Sequence, residues 1–512
     1  MRAGSQVFDR LMRSLHFTIA KNAIANVMRG GASAVTAIVL PHFLTRSLGP
    51  DRFAGWALML QVAAYANYLD FGLQTAVARY LAGALEKGDH QQRDRLLSNA
   101  IAILTVAGAI ALCGLGIVAW QLPHLFRSVP SRLAGEIGSG VLILGLSAAI
   151  GLPLSAYTGV LIGMQRNEFP AIAIATSRLF GAVAVVLVAH RTHSLVWLAL
   201  CIAGFNLVAG LAQYAIAKKL LLALRFSFAS LDRAMTAELV RYCSTLSVWS
   251  FGMLLVSGLD VTIVGLFRFQ AVGAYSIAAT LVMFFTGLIG AAFSAMLAAV
   301  AVLQARHEYS RICRLIIVTT RLNSYFSMAV IVLTFLFGEA LVRAWVGPAY
   351  LAVTLPVLKI LLVAQALRLV GNAYGTVLIG MGLQRYGLVP VLVEGVSNLV
   401  LSVLGMILIG PAGVAWATLI GALIALTITF FFVMPQVHEV SIGSGMFIWQ
   451  GILMPLLPFL PFCVWMLCRS WYEGYFQPST LGRWLPLALS LSIAVWLAWD
   501  GVRRTFQEVK SV

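Results

Sequence analysis

The sequence predicts an all-α polytopic membrane protein: about fourteen transmembrane helices, arranged as two six-helix lobes and two further C-terminal helices. Three observations carry that prediction: the composition, the recurrence of long apolar runs, and an internal repeat. Of 512 residues, 61% are hydrophobic and only 10% are charged, with a mean hydropathy of +0.93. A soluble chain carries about 25% charged residues. A bilayer core of about 30 Å needs about 20 apolar residues per helix, and such runs recur along the whole chain. Lipid admits only helices or closed barrels, because backbone polar groups find no water there. A barrel would show alternating segments of about 10 residues, and none occur.

Apolar runs between charged or Pro/Gly breaks place the first six helices at 20–45, 53–84, 96–121, 134–164, 171–189 and 194–218. The next six fall at 241–267, 272–304, 316–345, 353–383, 387–409 and 412–434, with two more at 447–468 and 484–501. Shifting the chain by 219 residues lays the first six on the second six. The loop LEKGDHQQRDR at 85–95 then meets QARHEYSRICR at 304–314, with Lys87 on Arg306, Asp89 on Glu308 and Arg95 on Arg314. A two-residue slip later pairs YTGVLIGM at 157–164 with YGTVLIGM at 374–381. Six helices is an even number, so the two halves are parallel repeats with a substrate site expected between them. The chain thus divides into an amphipathic N-terminal lead (1–19), a first lobe (20–225), a second lobe (226–434) and a tail with the last two helices (435–512).

A net charge of +17 would suggest nucleic acid in a soluble chain. Here it follows the positive-inside rule. With the N-terminus cytoplasmic, the inside segments hold 21 Lys and Arg and the outside segments 9, so both termini are expected in the cytoplasm. The basic lead has no cleavable apolar core and reads as retained. The six cysteines lie in or beside apolar runs without metal-ligand spacing, and read as small packing residues. No metal or cofactor site is expected. No outside loop exceeds roughly 15 residues, which leaves a membrane glycosyltransferase nowhere to carry a carboxylate-rich site.

The chemistry is expected inside the bilayer. A charge at mid-membrane costs about 2.5–3.5 kcal/mol on insertion scales, so it needs a partner or a watery cavity. Asn22, Asn26, Arg29, Ser33 and Thr36 recur at helical spacing on the first helix, and Gln61, Tyr65, Tyr68, Gly72, Thr75 and Arg79 on the second. Each set forms one polar stripe that lipid would not accept. By the helical rise, Arg29, Arg79 and Arg178 lie roughly 10–15 Å inside the cytoplasmic edge. Guanidinium stays charged and binds phosphate bidentately, so the three form a candidate diphosphate site. Neutralisation of buried carboxylates is the alternative. On the tenth helix Arg368 shares a face with Gln365 and Asn372 and is a fourth candidate, while Lys359 reads as snorkelling. Asp70, Asp260 and Glu394 are candidates for ion coupling or for ion pairing, with Arg321 as the expected partner of Glu394. Tyr65 and Tyr68 are placed either to stack on sugar or to pack between helices.

LGPDRFAGW at 48–56, LDFGL at 69–73, ARY at 78–80, the 85–95 loop and WVGPAY at 345–350 resemble a known family. It is that of the polysaccharide flippases, in the multidrug/oligosaccharidyl-lipid/polysaccharide exporter superfamily. The resemblance covers nearly the whole chain. It implies a two-lobed, MATE-like fold with a cationic central cavity in the bacterial inner membrane. It implies a flippase, not an enzyme, moving undecaprenyl-diphosphate-linked oligosaccharide by alternating access. The partners implied are the lipid-linked oligosaccharide, membrane lipids and polysaccharide polymerase or export machinery, and no nucleic acid. A lipid II flippase and a multidrug antiporter of the same superfamily are the alternatives. Cationic drugs would favour an acidic cavity over three arginines.

Overall fold

A computed structural model describes residues 2–221, 226–440, 442–466, 468 and 480–510, with side chains described from Met28 onward apart from short stretches. Every regular element among them is helical. The first helix, α1, runs Arg2–Ala64 and is two helices joined at Gly49, where φ is 74° ahead of Pro50. Then come α2 (Leu73–Glu86), α3 (His90–Leu125), α4 (Ser131–Gly163), α5 (Glu168–Thr192) and α6 (Leu195–Leu220). They are followed by α7 (Arg233–Met253), α8 (Asp260–Phe267), α9 (Val272–Ala305) and α10 (Tyr309–Val346). The last of the core are α11 (Leu351–Gly380), α12 (Arg385–Leu408) and α13 (Pro411–Ile428); a C-terminal helix spans Thr480–Lys510.

Among the described residues, 10 helices are long and apolar enough to cross a membrane, or 11 if the bent pair within 233–258 is one span. The expected count of fourteen is not reached by that measure. One reason is local. The second predicted span, 53–84, is not one helix: a 3₁₀ turn occupies Tyr65–Asp70, and Phe71 and Gly72 are left-handed, with φ of 52° and 73°. Neither piece alone is long enough to register.

The chain forms two compact units: Met1–Gly287 with Val342–Thr354 and Ser402–Val414, and Leu288–Leu341 with Leu355–Leu401 and Ala415–Val512. The first unit runs past the repeat boundary at 225, because α7 is anchored to α3. Buried Asn99 accepts hydrogen bonds from the Asp232 amide (3.1 Å) and the Thr236 hydroxyl (2.7 Å), and donates to the Ser230 carbonyl at 3.3 Å. In the same unit His42 Nδ1 lies 2.6 Å from the Trp345 carbonyl, and the Trp345 indole donates to the Ile38 carbonyl at 2.8 Å.

In the second unit Arg321 donates to both carboxylate oxygens of Glu508, at 3.0 and 3.1 Å, and to the Gln450 carbonyl at 3.2 Å. The expected Arg321–Glu394 pair therefore does not form. The C-terminal helix brings a carboxylate to Arg321, and Glu394 finds Arg368 instead, with Nε to Oε1 at 2.6 Å.

Candidate functional site

The break in the second span shapes the site. Asp70 ends the 3₁₀ turn and accepts from the Ser155 hydroxyl of α4 at 3.4 Å. Gly72 is required twice over. Its φ is positive, and a Cβ there would sit 2.8 Å from Leu246 Cδ1 of α7. The polar stripe expected along a continuous helix is therefore interrupted, since a 3₁₀ turn advances each residue by 120° and two left-handed residues reset the phase.

Before the break, Gln61 donates to the Gly258 carbonyl at 2.6 Å and the Tyr65 hydroxyl donates to the same oxygen at 3.0 Å, while also contacting the Thr262 hydroxyl. Gly258 closes a π-helical turn, Leu254–Gly258. Such a turn disturbs the regular i→i−4 bonding, and these side chains satisfy its last carbonyl. Gln61 and Tyr65 thus have a structural duty that the stripe did not foretell. Tyr68 lies beside Gly258, its hydroxyl 3.3 Å from where a Cβ would stand.

After the break, α2 is held by α4 at the repeated motif. A Cβ on Gly163 would lie 2.7 Å from the Ala78 carbonyl, so the motif's glycine lets the two backbones touch one residue from Arg79. Gly163→Val is expected to force α2 outward, costing about 1–3 kcal/mol as overpacking does. A thermal melt of the purified variant would show the loss, and an unchanged melt would contradict this packing. Arg79 itself is exposed, with its guanidinium carbon 5.4 Å from the centre of the Tyr242 ring. Tyr80 meets the same ring edge-on at 5.9 Å. Tyr242 was not identified from the sequence; it follows Arg241 at the start of an apolar run and carries no spacing signal. Thr75 is exposed on the same helix.

Arg29 and Arg178 stand on neighbouring helices. Helices α1 and α5, which carry them, pack along one another. Arg29 is half-buried and Arg178 exposed. Among the described residues, neither they nor Arg79 is ion-paired with a carboxylate. Ser33 and Thr36, on the same stripe as Arg29, turn their hydroxyls back onto the carbonyls of Arg29 (2.9 Å) and Ala32 (2.8 Å). The side chains of Asn22 and Asn26 lie outside the described residues.

Arg368, the fourth candidate, is paired here with Glu394, and both side chains are largely buried. Glu394 is thereby an ion-pair member. Lys359 places its ammonium 4.6 Å from the centre of the Phe335 ring. Asp260 is buried, and the Tyr275 hydroxyl donates to its Oδ2 at 3.2 Å. No group of three His, Cys, Asp or Glu suited to a metal occurs among the described residues.

Comparison with known proteins agrees with the resemblance read from the motifs. Residues 19–300, more than half of the chain, match the model of a family described as polysaccharide biosynthesis protein. An O-antigen transporter of Shigella flexneri is 30% identical over 91 residues, a match spanning 17% of this chain and only 21% of that relative. Two solved structures share the fold. One is an inward-facing multidrug resistance MATE transporter of the MOP superfamily, with TM-score 0.66 and 15% identity over 82% of this chain and 98% of that one. The other is the lipid II flippase MurJ in an inward closed conformation, with TM-score 0.66 and 12% identity over 94% and 99%.

Proposed function

Because the chain belongs to the family of polysaccharide biosynthesis proteins, we propose that it is a flippase for undecaprenyl-diphosphate-linked oligosaccharide repeat units. It takes them from the cytoplasmic to the periplasmic leaflet of a bacterial inner membrane, for surface polysaccharide synthesis. The observation that carries this reading is that Arg29 and Arg178 stand on helices that pack along one another, with no carboxylate partner among the described residues. Charges so placed within a membrane call for water or an anion. A diphosphate answers both. Arg79, backed by Tyr242 and Tyr80, is the third basic contact, and Tyr68 and Thr75 face the glycan.

In this reading the polyprenyl tail stays in lipid while the headgroup crosses by alternating access between two lobes, with both termini cytoplasmic. Coupling falls to Asp70. It sits at the break of the second span, where a change of protonation or a bound cation alters the bonds to Ser155 and to the turn. Transport by proteoliposomes is expected to respond to an imposed proton or sodium gradient, and to lose that response in Asp70→Asn. Indifference of the unaltered protein to both gradients would remove the coupling role.

A second reading, a lipid II flippase, is raised by the fold shared with MurJ along nearly the full length of both chains. It uses the same diphosphate chemistry. Gene deletion followed by mass analysis of membrane lipids separates the two. Accumulation of a diphosphate-linked oligosaccharide with loss of surface glycan is the expected result. Accumulation of lipid II would select the second reading, and no accumulated intermediate would overturn both.

A further inference from the structure

In both copies of the Y-x-x-V-L-I-G-M motif the tyrosine is buried, Tyr157 at 5% and Tyr374 at 1% exposure, but the surroundings differ. In the second copy Tyr374 lies in an apolar cluster with Phe430, Val433 and Met434. Val440, Ile442 and Phe447, from the segment after α13, complete that cluster. The chain thus covers its own groove over α11. In the first copy the corresponding groove over α4 is a cavity of about 300 Å³. Its walls are Ile101 of α3, Pro153, Leu154 and Tyr157 of α4, and Leu211 and Tyr214 of α6.

Packing explains why a space is left. A Cβ on Gly108 of α3 would lie 2.6 Å from the Ala149 carbonyl, and one on Gly210 of α6 would lie 3.1 Å from Leu154. The three helices therefore touch closely at that level. Toward their basic ends, from Pro153 onward, large side chains line an open slot. Its rim is aromatic: Tyr157 and Tyr214 meet edge-on at 4.9 Å, and Phe226 lies beside them. One helical turn beyond Tyr214, the Lys218 ammonium lies 6.0 Å from the centre of the Tyr214 ring, and Lys219 is exposed next to it. Apolar, then aromatic, then cationic is the order of a membrane interface read from core to surface.

We propose that this groove binds an acyl chain of an anionic phospholipid, whose headgroup phosphate rests on Lys218 and Lys219. Lipid tails are as apolar as leucine, so burying a chain here gains nothing over the bilayer by hydrophobicity alone. Selection must come from the headgroup, where each basic residue near the surface adds enough attraction for two to give a preference on the order of tenfold or more. The inference stands apart from the flippase reading, because none of these residues belongs to the arginine site.

The test is photolabelling of the full-length protein in phosphatidylcholine vesicles doped with an acyl-chain diazirine analogue of either phosphatidylglycerol or phosphatidylcholine. Labelled peptides are mapped by mass spectrometry. Phosphatidylglycerol is expected to label the stretches 153–157 and 211–214 about tenfold more than phosphatidylcholine does. Lys218→Gln with Lys219→Gln should equalise the two lipids. Leu211→Trp should fill the slot and remove label from both, and Ile101→Trp provides a second filling variant if the first does not fold. Equal labelling by the two lipids in the unaltered protein would overturn the proposal, as would label that persists in a folded filling variant. Displacement of the label by undecaprenyl phosphate but not by unlabelled phosphatidylglycerol would also overturn it, assigning the groove to the cargo's tail.

Discussion

Replacing Arg29 and Arg178 together by glutamine should cut export of surface glycan by roughly a hundredfold or more while leaving the protein at least as stable as before. The first half follows from contact energies. A hydrogen bond to a charged group contributes about 1.5–3 kcal/mol, and each guanidinium is able to make two such bonds to a phosphate. Losing even one good contact per arginine therefore costs two or more orders of magnitude in binding. The second half follows from what surrounds the two side chains. Neither has a carboxylate partner among the described residues. Removing them breaks no ion pair seen there and removes the cost of holding two charges within the membrane. Immunoblotting of surface glycan and a thermal melt of purified protein read the two quantities separately. Lysine at both positions should restore part of the export, since the charge returns without the planar fork. Full export in the double glutamine variant would remove the diphosphate site. Lost export together with a marked drop in melting temperature would instead assign the arginines to folding.

Much of the helical architecture was legible because the bilayer imposes it. Apolar runs separated by short charged loops admit few other readings, and the boundaries at Gly88, Gly347 and Gly410 fall where glycine takes a positive φ. The repeated motif was legible as a pattern, though not its purpose, since only the structure shows Gly163 against the Ala78 carbonyl. The break at Phe71–Gly72 was missed for a physical reason. A single glycine inside an apolar run is tolerated by a helix at a cost of about 1 kcal/mol, so LDFGL reads as helix by pattern. What the pattern lacks is the contact at the turn, where Gly72 stands against Leu246, about 170 residues away in sequence. The consequences ran through the site: the stripe was phased as one helix, so Gln61 and Tyr65 were grouped with Arg79 although they bond the Gly258 carbonyl. The helical rise places Arg29 and Arg178 at similar depth. That their helices α1 and α5 pack together is something hydropathy does not encode.

Removing one member of the Arg368–Glu394 pair should be the most destabilising single change in the second unit. Their side chains are only 15% and 8% exposed, and Nε stands 2.6 Å from Oε1. Breaking a buried pair leaves an uncompensated charge, which costs about 3–5 kcal/mol. Glu394→Leu alone is therefore expected to reduce the yield of folded protein and lower its melting temperature sharply. Arg368→Leu with Glu394→Leu should recover most of the loss, because replacing both charges by apolar groups removes the desolvation penalty along with the attraction. The same double variant tests function. If the pair serves only to hold α11 and α12 together, export should return with stability. If export stays lost while the melt recovers, Arg368 or Glu394 acts on cargo or on a coupling ion, and the pair is a state of the transport cycle. The helix ends found in the structure put the two members of the pair at similar depth. Counted from the helix ends at Gly380 and Arg385, Arg368 lies 12 residues deep and Glu394 9, or roughly 18 and 14 Å by the helical rise. A long arginine side chain spans that gap, whereas Arg321 is claimed by Glu508 on a helix that lies outside the repeat.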